Sequence, residues 1–312
     1  MTAFRVTQNV IAKNSLNNLQ ASMAKMQQIQ NQLSSGRLIN KPSDNPSGTS
    51  VAMSYRSEKA RTEQYSRNAT DGLGWLGTAD TTLFSALTPI GKVRELILEG
   101  ANGTADPAAR EALALEIQTA KDTLVGLANT SYRGRPIFAG TANPEGQSPP
   151  VAVYEADGTY NGNTDPVYRT IGPNADVQVN QSGPAVWGTP GAEDIWHVLD
   201  DIQTHLRSSD PAEIAKLTSG YGTTKSDIDR IDVARLNVQN RLSEVGARYH
   251  RVEQMQSRAD DNLLTIDNGL SEVENIDLAK TIVALNLQNS AYQAALSATA
   301  KVIQPSLVDF LS

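Results

Sequence analysis

The 312-residue chain contains no cysteine, which removes disulfide bracing, thiolate metal ligation and a cysteine nucleophile from the means by which it can be held together or do chemistry. Aromatic residues make up only 5% of it, so cores must be built from Leu, Ile, Val and Ala. Histidine occurs at three positions, His197, His205 and His250. No stretch approaches the roughly 20 apolar residues of a membrane span, and Met1 to Gln20 lacks the continuous apolar core of a secretory signal. Neither membrane insertion nor the general secretory route is expected. There is no phosphate-cradling glycine loop, no zincin histidine pair and no nucleophile elbow.

What is present is long-range 3-4 apolar spacing at both ends. Near the start the positions are Leu16, Leu19, Met23, Met26, Gln30 and Leu33; near the end they are Leu278, Ile282, Leu285, Asn289, Tyr292, Leu296, Thr299 and Ile303. Alternating steps of three and four keep one narrow stripe on one side of a helix, the arrangement coiled-coil pairing needs. A lone helix cannot bury such a stripe, so the apolar members of both sets are candidate assembly contacts. The polar interruptions Gln30, Arg235, Asn289 and Thr299 fit either register-fixing positions or solvent-facing slips in the seam.

Charge separates along the chain. Met1 to Thr70 carries nine Lys or Arg against three acids, whereas Asp260 to Ser312 carries two against seven. Complementary ends can set orientation and register, although each exposed ion pair contributes only about 0 to 1 kcal/mol. The cations of the basic end are scattered and not interleaved with aromatics, so a nucleic-acid partner is not expected.

Punctuation lays out the rest. A first helix is expected over about Ser15 to Leu33, ending at Ser35-Gly36, where glycine suits the left-handed position past a helix end. Lys41-Pro42-Ser43-Asp44-Asn45-Pro46 cannot be helical throughout. A second helix then runs to about Gly100, its seam reading Leu73, Leu76, Asp80, Leu83, Leu87, Ile90, Arg94 and Ile97. Asp106-Pro107 is an N-cap with proline at the first helical position, opening a helix with the stripe Leu113, Ile117, Ala120, Leu124 and Leu127. From Pro136 to about Gly191 short β-branched pieces around Val151–Tyr154, Val167–Ile171 and Val177–Val179 alternate with turn clusters. Helical spacing returns at Ile195, Leu199, Ile202 and Leu206, and it persists over a very long run at Ile228, Ile231, Arg235, Val238, Leu242, Val245, Tyr249, Val252, Gln256, Ala259, Leu263, Ile266, Leu270 and Val273.

The expected fold is therefore mainly α, an elongated coiled-coil or bundle rod formed by the N- and C-terminal segments with a small inserted β-rich domain. Its divisions are an assembly helix over 1–40, a rod domain over 41–135, a β-rich outer domain over 136–191, a returning rod over 192–275 and a second assembly helix over 276–312. The best catalytic or metal constellation is His197, Asp201 and His205, stacked by four-residue spacing on one helix face. A solvated face opposite an apolar stripe explains the same pattern. No catalytic residue, metal site or cofactor is expected, and an exported metal-dependent enzyme is the distant alternative.

Several segments resemble the flagellin-like family of axial proteins of the bacterial flagellum. They are Asn31 to Pro46 with its Pro-Ser-Asp-Asn-Pro ending, Ser66 to Leu73, Val93 to Leu96, Ile276 to Ala279 and Ser306 to Leu311; Tyr132-Arg133-Gly134-Arg135-Pro136-Ile137-Phe138-Ala139-Gly140-Thr141 is most similar to members that join hook to filament. The resemblance implies a structural, non-enzymatic protein, outside the cell in the flagellum, exported by the flagellar type III apparatus without a cleaved signal peptide. It implies self-assembly through the terminal helices, with hook-associated protein 1 and flagellin as neighbours and a cytosolic export chaperone bound near the C-terminus, for which the apolar Val302 to Leu311 is a suitable target. A minor flagellin that forms filament is the alternative within the family.

Overall fold

A strict seven-residue repeat organises the longest helices. In α2 (Pro46–Gly100) the row Ala69, Leu76, Leu83, Ile90 and Ile97 is at most 1% exposed, and beside it Ala79, Ala86 and Val93 are as fully buried. In α7 (Asp227–Glu274) the matching row is Ile231, Val238, Val245 and Val252. A repeat of seven is slightly tighter than two turns of an ideal α-helix, so two such rows stay in contact only by coiling around each other.

The computed structural model describes residues 2–102, 105–143, 151–191, 194–220 and 225–303. They fall into two compact units, one made of 1–61 with 262–312 and the other of 62–261, and α2 and α7 each contribute to both. The fold is mainly helical with two small two-stranded antiparallel sheets, as the sequence implied.

Within 62–261, polar contacts fix α2 and α7 as antiparallel neighbours. Ser66 Oγ donates to Asp260 at 3.2 Å, Gln256 Nε2 to Thr70 Oγ1 at 2.9 Å, and Arg94 Nε to Asp232 at 2.9 Å, so each advance along α2 is matched by an equal retreat along α7. The expected seams are the ones buried, with Leu73, Leu87, Leu242 and Tyr249 at their edges. Helix α3 (Pro107–Ala128) starts where the cap was read: Asp106 accepts from Ala109 N at 2.6 Å. It adds Ile117 and Leu124, and α5 (Ile195–Arg207) adds Ile195, Leu199, Ile202 and Leu206, all within one core; the short α6 (Pro211–Ala215) follows, capped by Asp210. Lys121, almost fully buried, reaches Asp200 at 2.6 Å, and Arg207 meets Glu111 at 3.0 Å; both pairs join α3 to α5.

The rest of this unit is a compact β-containing insert. Strands β1 (Ser131–Tyr132) and β2 (Arg135–Pro136) form a minimal hairpin, and β3 (Tyr168–Gly172) pairs with β4 (Ala175–Gln178) across a bulge between Thr170 and Gly172. Val151–Tyr154 is not a strand; it contributes only an isolated bridge, Tyr154 to Tyr160, because the Asn129 side chain takes both the N–H and the C=O of Tyr154 at 2.8 Å, while the Tyr154 ring enters the packing beside it. That packing is a nest of the scarce aromatics. Tyr154 lies 5.0 Å from Tyr160 and 5.4 Å from Trp196, Trp196 lies 5.8 Å from Trp187, and Trp187 meets Phe138 edge-on. A Cβ at Gly183, in the short helix α4 (Gly183–Trp187), would sit 2.6 Å from the Tyr154 hydroxyl, so the approach is open only to glycine.

The other unit contains α1 (Thr2–Ser35) and α8 (Leu278–Ile303) together with the start of α2 and the end of α7. Helix α1 begins thirteen residues earlier than the spacing indicated, since Thr2 to Asn14 carries neither proline nor glycine to stop it. Gly36 ends it at φ +71, as expected. Beyond it Leu38 N donates to Glu274 O at 2.6 Å, Ile276 N donates to Gly36 O at 3.2 Å, and Arg37 bridges Asn275. Asp44 accepts from Asn40 N and Lys41 N, and Asn45 Oδ1 from Gly48 N at 3.0 Å, so the Pro-Ser-Asp-Asn-Pro stretch is a capping turn that launches α2. Arg56 pairs with the buried Glu274 at 2.7 Å, and Lys59 with Asp267 at 2.5 Å.

Candidate assembly interface

Helices α1 and α8 pack against each other in antiparallel fashion. Gln288 Nε2, near the middle of α8, donates to Ser22 Oγ at 2.7 Å and to Ser22 O at 3.2 Å, and Gly36 and Ile276 meet at the turn end. The covered row on α1 is Ala12, Ser15, Leu19, Ser22, Met26, Ile29 and Leu33, spaced by threes and fours with small residues at Ala12, Ser15 and Ser22; on α8 it is Thr281, Leu285, Gln288, Tyr292, Ala295 and Thr299. Small residues let the two backbones approach, and Ser22 with Gln288 sets the register by a hydrogen bond that a sliding pair would lose.

The candidate residues divide between two situations. Leu19, Met26, Leu33, Leu285 and Tyr292 are half-buried, whereas Leu16, Met23, Leu278, Ile282 and Leu296 are exposed, Leu16 at 55% and Leu278 at 59%. Asn289 and Thr299 are half-buried and Gln30 and Arg235 exposed. The side chain of Ile303 and all of 304–312, with the expected chaperone target, lie outside the described residues. Spacing arguments passed over Val283 and Leu287, which are 66% and 71% exposed. At 3.6 residues per turn they stand roughly opposite Leu285, so α8 is apolar on the side facing α1 and on the side away from it. Two overlapping stripes were there to be found in the sequence.

His197, Asp201 and His205 do not converge. His197 Nδ1 lies 2.8 Å from Asp194, the N-cap residue of α5; Asp201 takes Arg230 Nη1 at 2.8 Å; His205 Nδ1 lies 2.6 Å from Asp227 Oδ2. Asp227, 2% exposed, also receives Arg230 at 3.2 Å; burial pushes its carboxyl pKa up, while His205 and Arg230 act in the opposite sense. Among the described residues no group of three or more His, Asp or Glu is placed to hold a metal ion, and no helix is long and apolar enough to cross a membrane. In the aromatic nest, burial raises the Tyr160 hydroxyl pKa to about 12 and that of Tyr154 further.

The fold and this interface define a class: mainly helical proteins in which N-terminal and C-terminal segments come together as one unit, with the intervening chain forming another. Comparison gives the particular family. Residues 6–143 match the bacterial flagellin N-terminal helical region and 228–311 the bacterial flagellin C-terminal helical region, together over two thirds of the chain. The chain belongs to the flagellin family. It is similar to flagellin from Bacillus subtilis, 25% identical over 96% of both proteins, and to flagellar hook-associated protein 3 from Escherichia coli, 23% identical over 94% of this chain and 95% of that one. The solved structure of flagellar hook-associated protein 3 from Legionella pneumophila, 15% identical, covers 70% of this chain and 98% of its own with a TM-score of 0.59, and so shares the fold.

Proposed function

We propose that the protein is a structural, non-enzymatic component of the bacterial flagellum that joins the hook to the filament, assembling through its terminal helices. The observation that carries this reading is the nearly end-to-end similarity to a hook-associated protein 3, supported by the apolar faces of α1 and α8 that their own pairing leaves open. Leu16 and Met23 on α1, and Leu278, Ile282, Val283, Leu287 and Leu296 on α8, are covered by copies of the same unit in the assembled state. Leu19, Met26, Leu33, Leu285 and Tyr292 hold the two helices together so that those faces are presented in register. Hook-associated protein 1 and flagellin are the neighbours on either side, a cytosolic chaperone covers the C-terminal apolar segment before export, and export runs through the flagellar type III apparatus.

A strain lacking the gene tests this: hooks form, no filament is retained and flagellin is shed into the medium. Filaments attached normally in that strain would overturn the assignment. The similarity to Bacillus subtilis flagellin favours one competing reading, a minor flagellin. It is separated by polymer length, since a flagellin would propagate long filaments from purified protein alone.

A further inference from the structure

The β1–β2 hairpin carries a feature that its own stability does not require. Its two loop residues, Arg133 and Gly134, have φ of +50 and +72, a primed turn in which Asn, Asp or Gly ordinarily takes the first place. Arginine there is held against its backbone preference. The hairpin is clamped to α2: Tyr132 packs edge-on against buried Trp75 at 6.0 Å, and a Cβ at Gly74 would collide with the Tyr132 hydroxyl. Two guanidinium groups are displayed on this platform. That of Arg133, 69% exposed, lies 5.3 Å from the Tyr132 ring centre and 3.2 Å from Asp71; that of Arg135, also exposed, lies 5.9 Å from the Trp75 ring centre. Asp71 is already bound by Arg169 at 2.9 Å, and among the described residues Arg135 has its ring contact with Trp75 and no carboxylate ion pair. The corner is cationic in a chain of net charge -7.

Near the C-terminal end of α2, Glu95 and Glu99 lie one turn apart on an exposed face beside the exposed Leu98, and among the described residues no lysine or arginine forms an ion pair with either. The arginines cannot reach them within one molecule: Trp75 and Glu99 belong to one continuous helix, about 36 Å apart at 1.5 Å per residue. We infer that the Arg133/Arg135 tip of one subunit docks on the Glu95/Glu99 end of α2 in a second copy. Stacking on Tyr132 and Trp75 orients the guanidinium planes before contact, which limits the side-chain freedom lost on docking and suits arginine to bidentate carboxylate recognition. Because the two surfaces differ, the contact is head-to-tail and repeats from copy to copy. It rests on the assembly reading above and adds a polar contact, made by residues 62–261, that the terminal helices do not supply.

The test is complementation of the deletion strain with full-length variants, scoring filament retention and hook-tip incorporation, alongside melting of each purified monomer. R133G/R135E removes one positive charge and reverses the other while giving the turn its preferred residue, so the monomer melts no lower than the parent; incorporation falls about tenfold. E95R/E99R behaves likewise, and the four changes together restore incorporation. Overturning results are normal incorporation of either double variant, or no recovery in the combined one. L285D serves as the reference for the underlying reading: if it fails to incorporate while R133G/R135E incorporates normally, only this docking contact is lost; if L285D also incorporates normally, the assembly reading falls with it.

Discussion

The unit formed by 62–261 and the unit formed by the two chain ends are both mainly helical, but only the first is closed. Its rows on α2 and α7 are sealed to within 1% exposure, and α3, α5 and the aromatic nest complete the cover. The terminal unit is the smaller, yet it holds two thirds of the exposed large apolar side chains among the described residues. The difference teaches that apolar content alone does not mark an interface; what marks it is an apolar face left over after the internal pairing is satisfied. In α2 and α7 each row is used up inside the chain, whereas α8 has apolar side chains both toward α1 and away from it.

Four substitutions or titrations would break or sharpen that contrast. The largest stability effect belongs to the closed unit. Trp196→Ala, fully buried among Tyr154 and Trp187, is expected to cost about 3 to 5 kcal/mol in chemical denaturation; a cost under about 1 kcal/mol would mean the nest is loosely packed. Next, Leu285→Asp places a charge in the α1–α8 seam. Hydrogen exchange in α1 and α8 should rise to that of an unpaired helix while 62–261 keeps its protection and melting temperature, and incorporation into flagella should be lost. A parallel loss of protection in both units would erase the distinction between them.

The third is alkaline titration. Tyr160 has its pKa raised by burial from 10.0 to about 12. The folded state therefore retains a proton that the unfolded chain gives up, so stability is full below about pH 10 and falls as pH rises from about 10 toward 12. Tyr160→Phe should lessen that fall, with Tyr154, raised further by burial, supplying the remainder; denaturant midpoints across the range measure it, and an unchanged slope would exclude Tyr160 as a source. The smallest monomer effect is expected for Ile282→Ser combined with Leu287→Ser. Exposed in the single chain, they should shift stability by no more than about 0.5 kcal/mol each, yet impair assembly as severely as Leu285→Asp. A destabilised monomer with intact assembly would reverse their roles.

The helical seams were legible because each rests on a short-range rule. Leu76, Leu83 and Ile90 on α2, and Val238, Val245 and Val252 on α7, sit at seven-residue steps that a pattern scan detects, and Asp106-Pro107 signals its cap by chemistry alone. The α1 seam was less legible. Its covered row includes Ala12, Ser15 and Ser22, small residues without hydrophobic signal, so a scan for large apolar residues mixes Leu19 and Met26 with the outward Leu16 and Met23. Around Val151–Tyr154 the alternation read as a strand, but Asn129 claims the backbone there: its side chain accepts from Tyr154 N and donates to Tyr154 O, both at 2.8 Å. No local pattern announces a contact between residues so far apart in the chain. The arginine tip escaped for another reason, since its chemistry lies in a backbone conformation that spacing does not encode.

The short bridge between Arg37 and Asn275 joins residues roughly 240 positions apart. A ribosome must therefore add more than 200 further residues after α1 before that helix can find its mate, whereas 62–261 is one uninterrupted run able to mature earlier. Helix α1 is made well before the partner that covers it, and during that interval its seam is open. Its surplus of lysine and arginine, and the small residues Ala12, Ser15 and Ser22 within its covered row, are suited to that wait.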